Sequence, residues 1–405
     1  MRIVIVGGGA ATASAIESIR ATDGESDVVV ISQQKTICSL SLLPYYLAGD
    51  IPEERLLFRD ANFYSDRKVT ALCQRATKVI PERNAVILTQ GEEIGYDQLL
   101  IATGSSPSRL EAKGTDMRGI FSFNTAADAQ NVIAWCEKAT TAVVVGASFI
   151  GVEVAIALCK RGIRVYLVER QDRVLPTMLD CETAELAKQR LKANGIEVLL
   201  SDQAREFLGN GTVTEAVLDS RRVTCDMAIV TIGVFPNLSP VDGSGIATGT
   251  GILVDDYMRT NIDNVYAAGD VAEARDIVSG NRSINAIWPN AIKQGKIAGY
   301  NMTGRPRRYE GSDKMNVIDI FGMPFVSLGH RTSDCEEIKV GGNSFSVRSN
   351  RITGLTAAGD VRNAGVILSL IRDGSDISWL RDNLQRQEHG YAHTRYAKPY
   401  FIRYT

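Results

Sequence analysis

The sequence predicts an α/β protein with two Rossmann-like dinucleotide-binding domains and a small α+β C-terminal domain. Three observations predict it. The β-branched run Arg2-Ile3-Val4-Ile5-Val6 leads into Gly7-Gly8-Gly9-Ala10-Ala11-Thr12. About 140 residues on, Thr141-Ala142-Val143-Val144-Val145 leads into Gly146-Ala147-Ser148-Phe149-Ile150-Gly151. From about residue 311 the texture changes to short alternating strands with one helix. One such glycine turn points to one dinucleotide. Two point to one that is held and another that visits it.

Each element has a local reason. Residues 2–6 read as a buried parallel strand, Ala10 to Ala21 as a helix with Ala11, Ala15, Ile16 and Ile19 at helical spacing, and Asp27–Ile31 as the next strand, which makes a βαβ unit. Leu40 to Leu47 is apolar around Pro44 and predicts a helix or loop facing the first nucleotide. Val69–Lys78 and Asn84–Thr89 alternate as a hairpin-like sheet, and Tyr96–Ala102 is a strand that ends at Thr103-Gly104. The second βαβ unit is Ala142–Val145, Phe149–Lys160 and Arg164–Val168. Cys181–Asn194 is a charged amphipathic helix stopped by Gly195, and Ile196–Leu200 resumes strand character. Met227–Thr231 runs into Gly233, Asn264–Ala268 runs into Gly269-Asp270, and Ala286–Met302 is helical up to Gly304. Beyond 311, strands are expected at Met315–Phe321, Phe325–Leu328, Glu337–Val340, Ser344–Val347 and Gly354–Ala358, with a helix near Val366–Arg372.

At 405 residues the chain exceeds one ordinary core. Its 44% apolar and 23% charged residues are those of a globular protein, and a net charge of −2 gives no drive toward nucleic acid. Seven cysteines are scattered without a CxxC pair, so neither a disulfide framework nor a zinc or iron–sulfur site is expected, and no metal ligand is assigned. Unpaired thiols fit a reducing, cytoplasmic setting, and Met1 leads into a strand with no signal-peptide core. The most apolar stretch, 142–159, carries Glu153, and a central carboxylate costs about 2.5–3.5 kcal/mol on insertion, so no membrane span is expected.

The turns carry the chemistry. Glycine is needed where the backbone turns sharply, where it approaches pyrophosphate and where the helix meets the strand, and the helix N-terminus then faces the phosphates. Gly7 and Gly9 fill two of those places, with Thr12 in the third; Gly146 and Gly151 fill the outer places of the second turn, with Ser148 in the middle. Each turn by itself also reads as an ordinary strand–helix connection. Glu169 ends a strand 23 residues after Gly146, where a carboxylate accepts from both ribose hydroxyls and repels a 2′-phosphate, so NAD(H) is expected over NADP(H). The equivalent place in the first unit is Ser32.

At this point residues 1–330 resemble the FAD- and NAD(P)-dependent pyridine nucleotide–disulfide oxidoreductase superfamily, near its NADH oxidase, CoA-disulfide reductase and rubredoxin reductase-like members. Besides the turns, Tyr96-Asp97-Gln98-Leu99-Leu100-Ile101-Ala102-Thr103-Gly104, Thr231-Ile232-Gly233-Val234-Phe235-Pro236-Asn237 and Thr260 to Asp270 match its motifs in order. The resemblance implies an FAD domain in two segments, 1–108 and 245–310, an NAD domain at 109–244 and a C-terminal interface or dimerisation domain at 311–405. It places Gly7, Gly9, Ala10 and Ala11 at the FAD pyrophosphate, Ser32 and Gln33 at the ribose, and the backbone of Ala76 near adenine. Thr103, Gly104, Pro289, Asn290 and Ala291 border the flavin, and Gly269 and Asp270 bind ribitol and phosphate. Gly146, Ser148, Ile150, Gly151, Glu169 and Gly233 fall to NAD(H), with Phe149 as an aromatic gate and Glu153 near the nicotinamide; Glu153 also reads as a structurally paired buried carboxylate.

The departures decide the reaction. Ser41 stands where single-cysteine members carry the redox thiol before Leu43-Pro44-Tyr45, and Cys38 lies three residues earlier, either facing the flavin or buried as a small apolar residue. His389-Gly390-Tyr391-Ala392-His393 lacks the proline of the reductases' acid/base motif. Hence the expectation is an NADH:acceptor oxidoreductase that passes electrons through FAD to a ferredoxin, a rubredoxin or an iron–sulfur subunit. An arrangement like the flavoprotein subunit of phenylglyoxylate dehydrogenase is one form of it. The alternatives are an NADH oxidase, peroxidase or CoA-disulfide reductase-like enzyme using Cys38, and a non-catalytic flavin-bound subunit. The aromatic, basic, acid-free tail 391–405 reads as a contact surface or as packed on its own domain, and the oligomer as a homodimer or part of a hetero-oligomer.

Overall fold

The computed structural model describes residues 1–332 and 334–378. Two five-stranded parallel sheets organise it. The first runs Val265–Ala267, Gln98–Ile101, Arg2–Val6, Asp27–Ile31, Val69–Leu72. The second runs Glu197–Leu200, Arg164–Glu169, Thr141–Val145, Met227–Val230, Ile120–Ser122. In both, the strand before the glycine turn is central and almost wholly buried, which is why it reads as an uninterrupted β-branched run. In both, the chain moves outward on one side of that strand and then crosses to its other side. The reversal puts the glycine turn at the switch point of the sheet, where open parallel sheets bind ligands.

Strand Val265–Ala267 returns to the edge of the first sheet after the whole second sheet has been built. Helix Trp288–Met302 then lies against helix Ala10–Thr22, and this contact needs glycine. A Cβ on Gly295 would sit 2.1 Å from the Ala11 carbonyl oxygen, and one on Gly299 would sit 2.5 Å from that of Ala15. The short helix Leu43–Ala48 packs Leu43 and Leu47 into the core of the second sheet, alongside Ile318, Ile320 and Phe325 from the C-terminal region.

That region is a five-stranded antiparallel sheet in the order Met315–Ile320, Met323–Gly329, Arg351–Ala358, Asn343–Arg348, Glu336–Val340. Helix Ala364–Asp373 covers it with Ile367, Leu368, Leu370 and Ile371. The tail 391–405, His389 and His393 lie outside the described residues.

The structure differs from the sequence expectation in several places. Val69–Lys78 is not one arm of a hairpin. Val69–Leu72 joins the first parallel sheet, while Ala76–Ile80 pairs with Ala85–Leu88 in a separate antiparallel sheet. Alternation sets which face a residue takes, and partner choice is a tertiary matter. The helix expected from Ala286 begins at Trp288, with Pro289 in its first turn. The Leu40–Leu47 segment divides into a 3₁₀ turn, Leu40–Leu42, and the helix Leu43–Ala48. Several elements go unread in the sequence, among them the edge strand Ile120–Ser122 and the pair Ser105–Pro107 and Val234–Pro236. Helix Ala126–Cys136 is announced by a Thr125–Asp128 capping box, and the meander Ala204–Gly209, Val213–Leu218, Arg222–Thr224 is short and antiparallel. Among the described residues no helix is long and apolar enough to cross a membrane.

Candidate dinucleotide sites

The first site is built where three segments converge. Gly7 has φ +138°, and a Cβ there would lie 2.0 Å from the Ala102 carbonyl oxygen, so only glycine lets the turn pass strand Gln98–Ile101. Gly9 caps helix Ala10–Thr22 with no side-chain bond to the cap, a Cβ on it would meet nothing within 4 Å, and no acid occupies the first turn. The helix N-terminus therefore offers free N–H groups to an anion. Gly269, at φ +81°, faces it: a Cβ there would lie 3.4 Å from the Ala11 methyl and 3.8 Å from that of Ala291. Ala11, Gly269 and Ala291 thus form a cradle of small residues drawn from three elements, sized for a ligand to approach the backbone.

Asp270 stands beside this cradle. Its carboxylate accepts from the Ser105 hydroxyl at 3.0 Å, and burial raises its pKa while that hydrogen bond lowers it. Gly269 N donates to Gln294 at 2.8 Å. Pro289 opens helix Trp288–Met302, which also starts without a side-chain cap. Asn290 is turned away from the cradle: its side chain donates to the carbonyls of Asn285 and Asp313 and accepts from Asp313 N. Ser32 accepts from Gln34 N at 3.0 Å and lines a cavity of about 90 Å³ with Lys35, Tyr64 and Cys73, while Gln33 is exposed. Ala76 starts the antiparallel strand Ala76–Ile80 and is buried.

The second site repeats the plan with different chemistry. A Cβ on Gly146 would lie 2.7 Å from the Thr231 carbonyl oxygen, and one on Gly151 would lie 1.8 Å from the Gly146 carbonyl oxygen. Ser148, in the middle place, points its hydroxyl at the Thr231 carbonyl, 2.8 Å, and so does not cap the first N–H groups of helix Phe149–Lys160. Thr231 in turn donates to the carbonyls of Val145 and Gly146, both at 3.0 Å. Glu169 accepts from Ala147 N and from Gln171 N, each at 2.8 Å, so the expected ribose carboxylate also closes the turn. Ile150 is half-buried on the second core, and Gly233, at φ +112°, accepts from Ser108 N.

Phe149 begins helix Phe149–Lys160 and packs, half-buried, on that core. One turn along, Glu153 carries an oxygen, Oε2, that is buried and has no hydrogen-bond partner, and burial pushes its pKa up to about 8. The phenol of Tyr45, on the helix packed opposite, is raised first by burial and then by Glu153 and Asp319. Ser41 is exposed and its hydroxyl lies 3.1 Å from that of Ser39. Cys38 is half-buried against the second apolar core, its sulfur 3.8 Å from the Thr36 hydroxyl.

Four residues absent from the sequence-level site assignment do much of this positioning. Thr231 locks the second turn, Asn237 and Ser105 tie the segments between the sites, and Gly295 lets the helices close. The Gly295-Lys296-Ile297-Ala298-Gly299 spacing was a readable signal of close helix contact.

Residues 1–295 match the family of pyridine nucleotide-disulphide oxidoreductases. The chain is 30% identical over 408 residues to the NADH-dependent phenylglyoxylate dehydrogenase subunit epsilon of Aromatoleum evansii, covering 94% of this chain and 93% of that one. It is 30% identical over 358 residues to the rubredoxin-NAD(+) reductase of Pseudomonas putida, covering 86% and 91%. Among solved structures, a NAD-dependent persulfide reductase from A. fulgidus superimposes with a TM-score of 0.88 at 28% identity, covering 94% of this chain and 79% of that one. The chain belongs to the pyridine nucleotide-disulphide oxidoreductase family. It is an oxidoreductase of the kind that works with FAD and NAD(H), and the two glycine cradles fit those groups.

Proposed function

We propose that this chain exchanges electrons between NAD(H) and a protein partner that brings its own iron–sulfur cluster, by way of FAD held in the first site. The observation that carries this reading is Ser41. By the family resemblance it stands where single-cysteine members carry a redox thiol, and serine forms neither a sulfenate nor a mixed disulfide. Cys38, the nearest thiol in sequence, packs on an apolar core instead. FAD, when bound, supplies the ability to take an electron pair as hydride and release electrons singly. The relatives named for a dehydrogenase subunit and for rubredoxin support a protein acceptor.

In this reading Gly7, Gly9, Ala10 and Ala11 bind the FAD pyrophosphate, Ser32, Gln33 and the Ala76 backbone the adenosine, and Gly269 and Asp270 the ribitol. Thr103, Gly104, Pro289, Ala291 and the Asn290 backbone border the ring. Gly146, Ser148, Ile150, Gly151, Gly233 and Glu169 hold NAD(H), while Phe149 and Glu153 line the approach of its nicotinamide. The FAD domain comprises 1–108 and 245–310, the NAD domain 109–244, and 311–405 forms the interface of a homodimer or hetero-oligomer.

The test is anaerobic. NADH is expected to bleach the visible absorbance of bound FAD, and a rubredoxin or ferredoxin to restore it, equally in wild type and in Cys38→Ser. If Cys38→Ser keeps the NADH step but loses turnover, a thiol-dependent oxidase or disulfide reductase replaces this reading.

A further inference from the structure

Between the two sites lies a set of hydrogen bonds that neither glycine turn accounts for. Strand Val234–Pro236, leaving the second unit, pairs antiparallel with Ser105–Pro107, leaving the first. At the end of this pair Asn237 and Thr103 bond reciprocally. Thr103 Oγ1 donates to the Asn237 carbonyl at 2.9 Å, and Asn237 Nδ2 donates to the Thr103 carbonyl at 2.9 Å. Asn237 N donates to the Gly104 carbonyl at 2.9 Å, and Ser106 Oγ donates to Asn237 Oδ1 at 2.6 Å. Every one of these partners lies within 103–106. The adjacent Ser105 reaches Asp270 at 3.0 Å, and on the other side Asn237 follows, six residues on, from Thr231, which locks the second turn.

We infer that Asn237 is a positioning residue: with Thr103 it clamps the two dinucleotide units at one separation and thereby sets how the reacting rings of NAD(H) and FAD meet. The geometry favours this over plain stabilisation. A residue that only filled space would not commit both its side-chain atoms and both its backbone groups to one four-residue segment, and that segment is the one that enters the first site. No group in the clamp touches either glycine turn's N–H groups, so losing it leaves each nucleotide's own cradle in place. Hydride transfer requires near-attack geometry, and a displacement of about 1 Å costs roughly a hundredfold in rate.

This inference rests on the proposed NAD(H)–FAD reading, and its test uses only the half that needs no acceptor. Asn237→Ala and Ser106→Ala are compared with wild type for FAD content per chain, Kd for NAD+ from flavin fluorescence, visible circular dichroism of bound FAD, and the anaerobic rate of flavin reduction by NADH. The expected result is full FAD content and unchanged Kd, an altered visible dichroism, and a reduction rate lower by about tenfold to a hundredfold. If the rate and dichroism match wild type, or if rate falls only in step with FAD loss or NAD+ affinity in both variants, the clamp is overturned. If Asn237→Ala does not fold, Ser106→Ala decides alone, since it removes one donor to Asn237 and leaves the residues that border the ring in place. Wild-type flavin that NADH leaves oxidised overturns the NAD(H) reading and the clamp with it; a wild type that is reduced, with variants equal to it, overturns the clamp alone.

Discussion

Glu153 shows what a single residue contributes beyond its place in a motif. Its buried, unpartnered oxygen raises the carboxyl pKa to about 8, above the ordinary carboxylate range. The folded state therefore binds a proton that the unfolded chain has released between those two values, and stability falls as pH rises through that window. Each pKa unit corresponds to about 1.4 kcal/mol. Glu153→Gln is expected to match wild type near pH 5 and to exceed it in Tm near pH 9, as thermal unfolding across pH will show; parallel curves would mean that Glu153 is paired. At the same scale Ser148 and Thr12 depart from glycine in unlike ways. Ser148 is accommodated because its hydroxyl finds the Thr231 carbonyl, whereas Thr12 is fully buried with a hydroxyl that has no hydrogen-bond partner. The departure was visible in the sequence, but the fate of each hydroxyl was not, because it depends on a carbonyl 83 residues away in one case.

At the scale of elements the decisive contact is helix on helix. Ala10–Thr22 bears the first turn, and its depth against Trp288–Met302 is set by Gly295 and Gly299. The N-termini of these two helices, with Gly269 between them, make the first cradle. Gly295→Ala is expected to push the helices apart, because its Cβ would lie 2.1 Å from the Ala11 carbonyl oxygen. Overpacking of this kind costs about 1–3 kcal/mol, and FAD content should fall with it. Denaturant midpoint and flavin per chain measure both. Gly280→Ala is not a fair control, since its φ of +72° brings strain of its own; Gly365, which has open space around it and an ordinary φ, is the better one. Strand Val69–Leu72 teaches the reverse point. Its alternation was legible, yet its partner is Asp27–Ile31 and not the segment that follows it. Period-two patterning records a face, and the parallel pairing was decided by which buried edge remained open.

For the whole molecule, buried ion pairs join the C-terminal sheet to the rest. Asp313, 2% exposed, accepts from Lys293 on helix Trp288–Met302 and from Arg372 on the C-terminal helix, all within 2.5–2.7 Å. Burial raises the Asp313 pKa, but the bonds from Arg372 and Lys293 outweigh it and hold the group below its usual value. Asp276 is held at about 2 in the same manner, burial opposed by His330 and by backbone N–H groups. Both carboxylates are depressed, so their contribution is present above the ordinary carboxylate range and is lost as pH falls below it, for Asp276 toward about 2. Arg372→Ala should destabilise by about 1.5–3 kcal/mol at neutral pH, the range for a hydrogen bond to a charged group, with the difference shrinking in acid. Denaturant titrations at neutral pH and at pH 3 check this; an equal loss at both would assign Arg372 a packing role alone.

The family resemblance implied the return of the 260–270 segment toward the first site and Ser41 where single-cysteine members carry a thiol; the sequence by itself determined the two parallel units and their glycine turns. These are local matters of β-branched runs, backbone freedom and side-chain chemistry. Only the tertiary structure decided which carbonyl each turn would meet, that the Asn290 side chain bonds Asn285 and Asp313, that Cys38 packs on a core, and that Asn237 fastens one unit to the other. The longest of these links, Asn237 to Thr103, joins residues 134 positions apart. Hydrogen-bond satisfaction and close packing are properties of the assembled interior, and no window of sequence contains both partners.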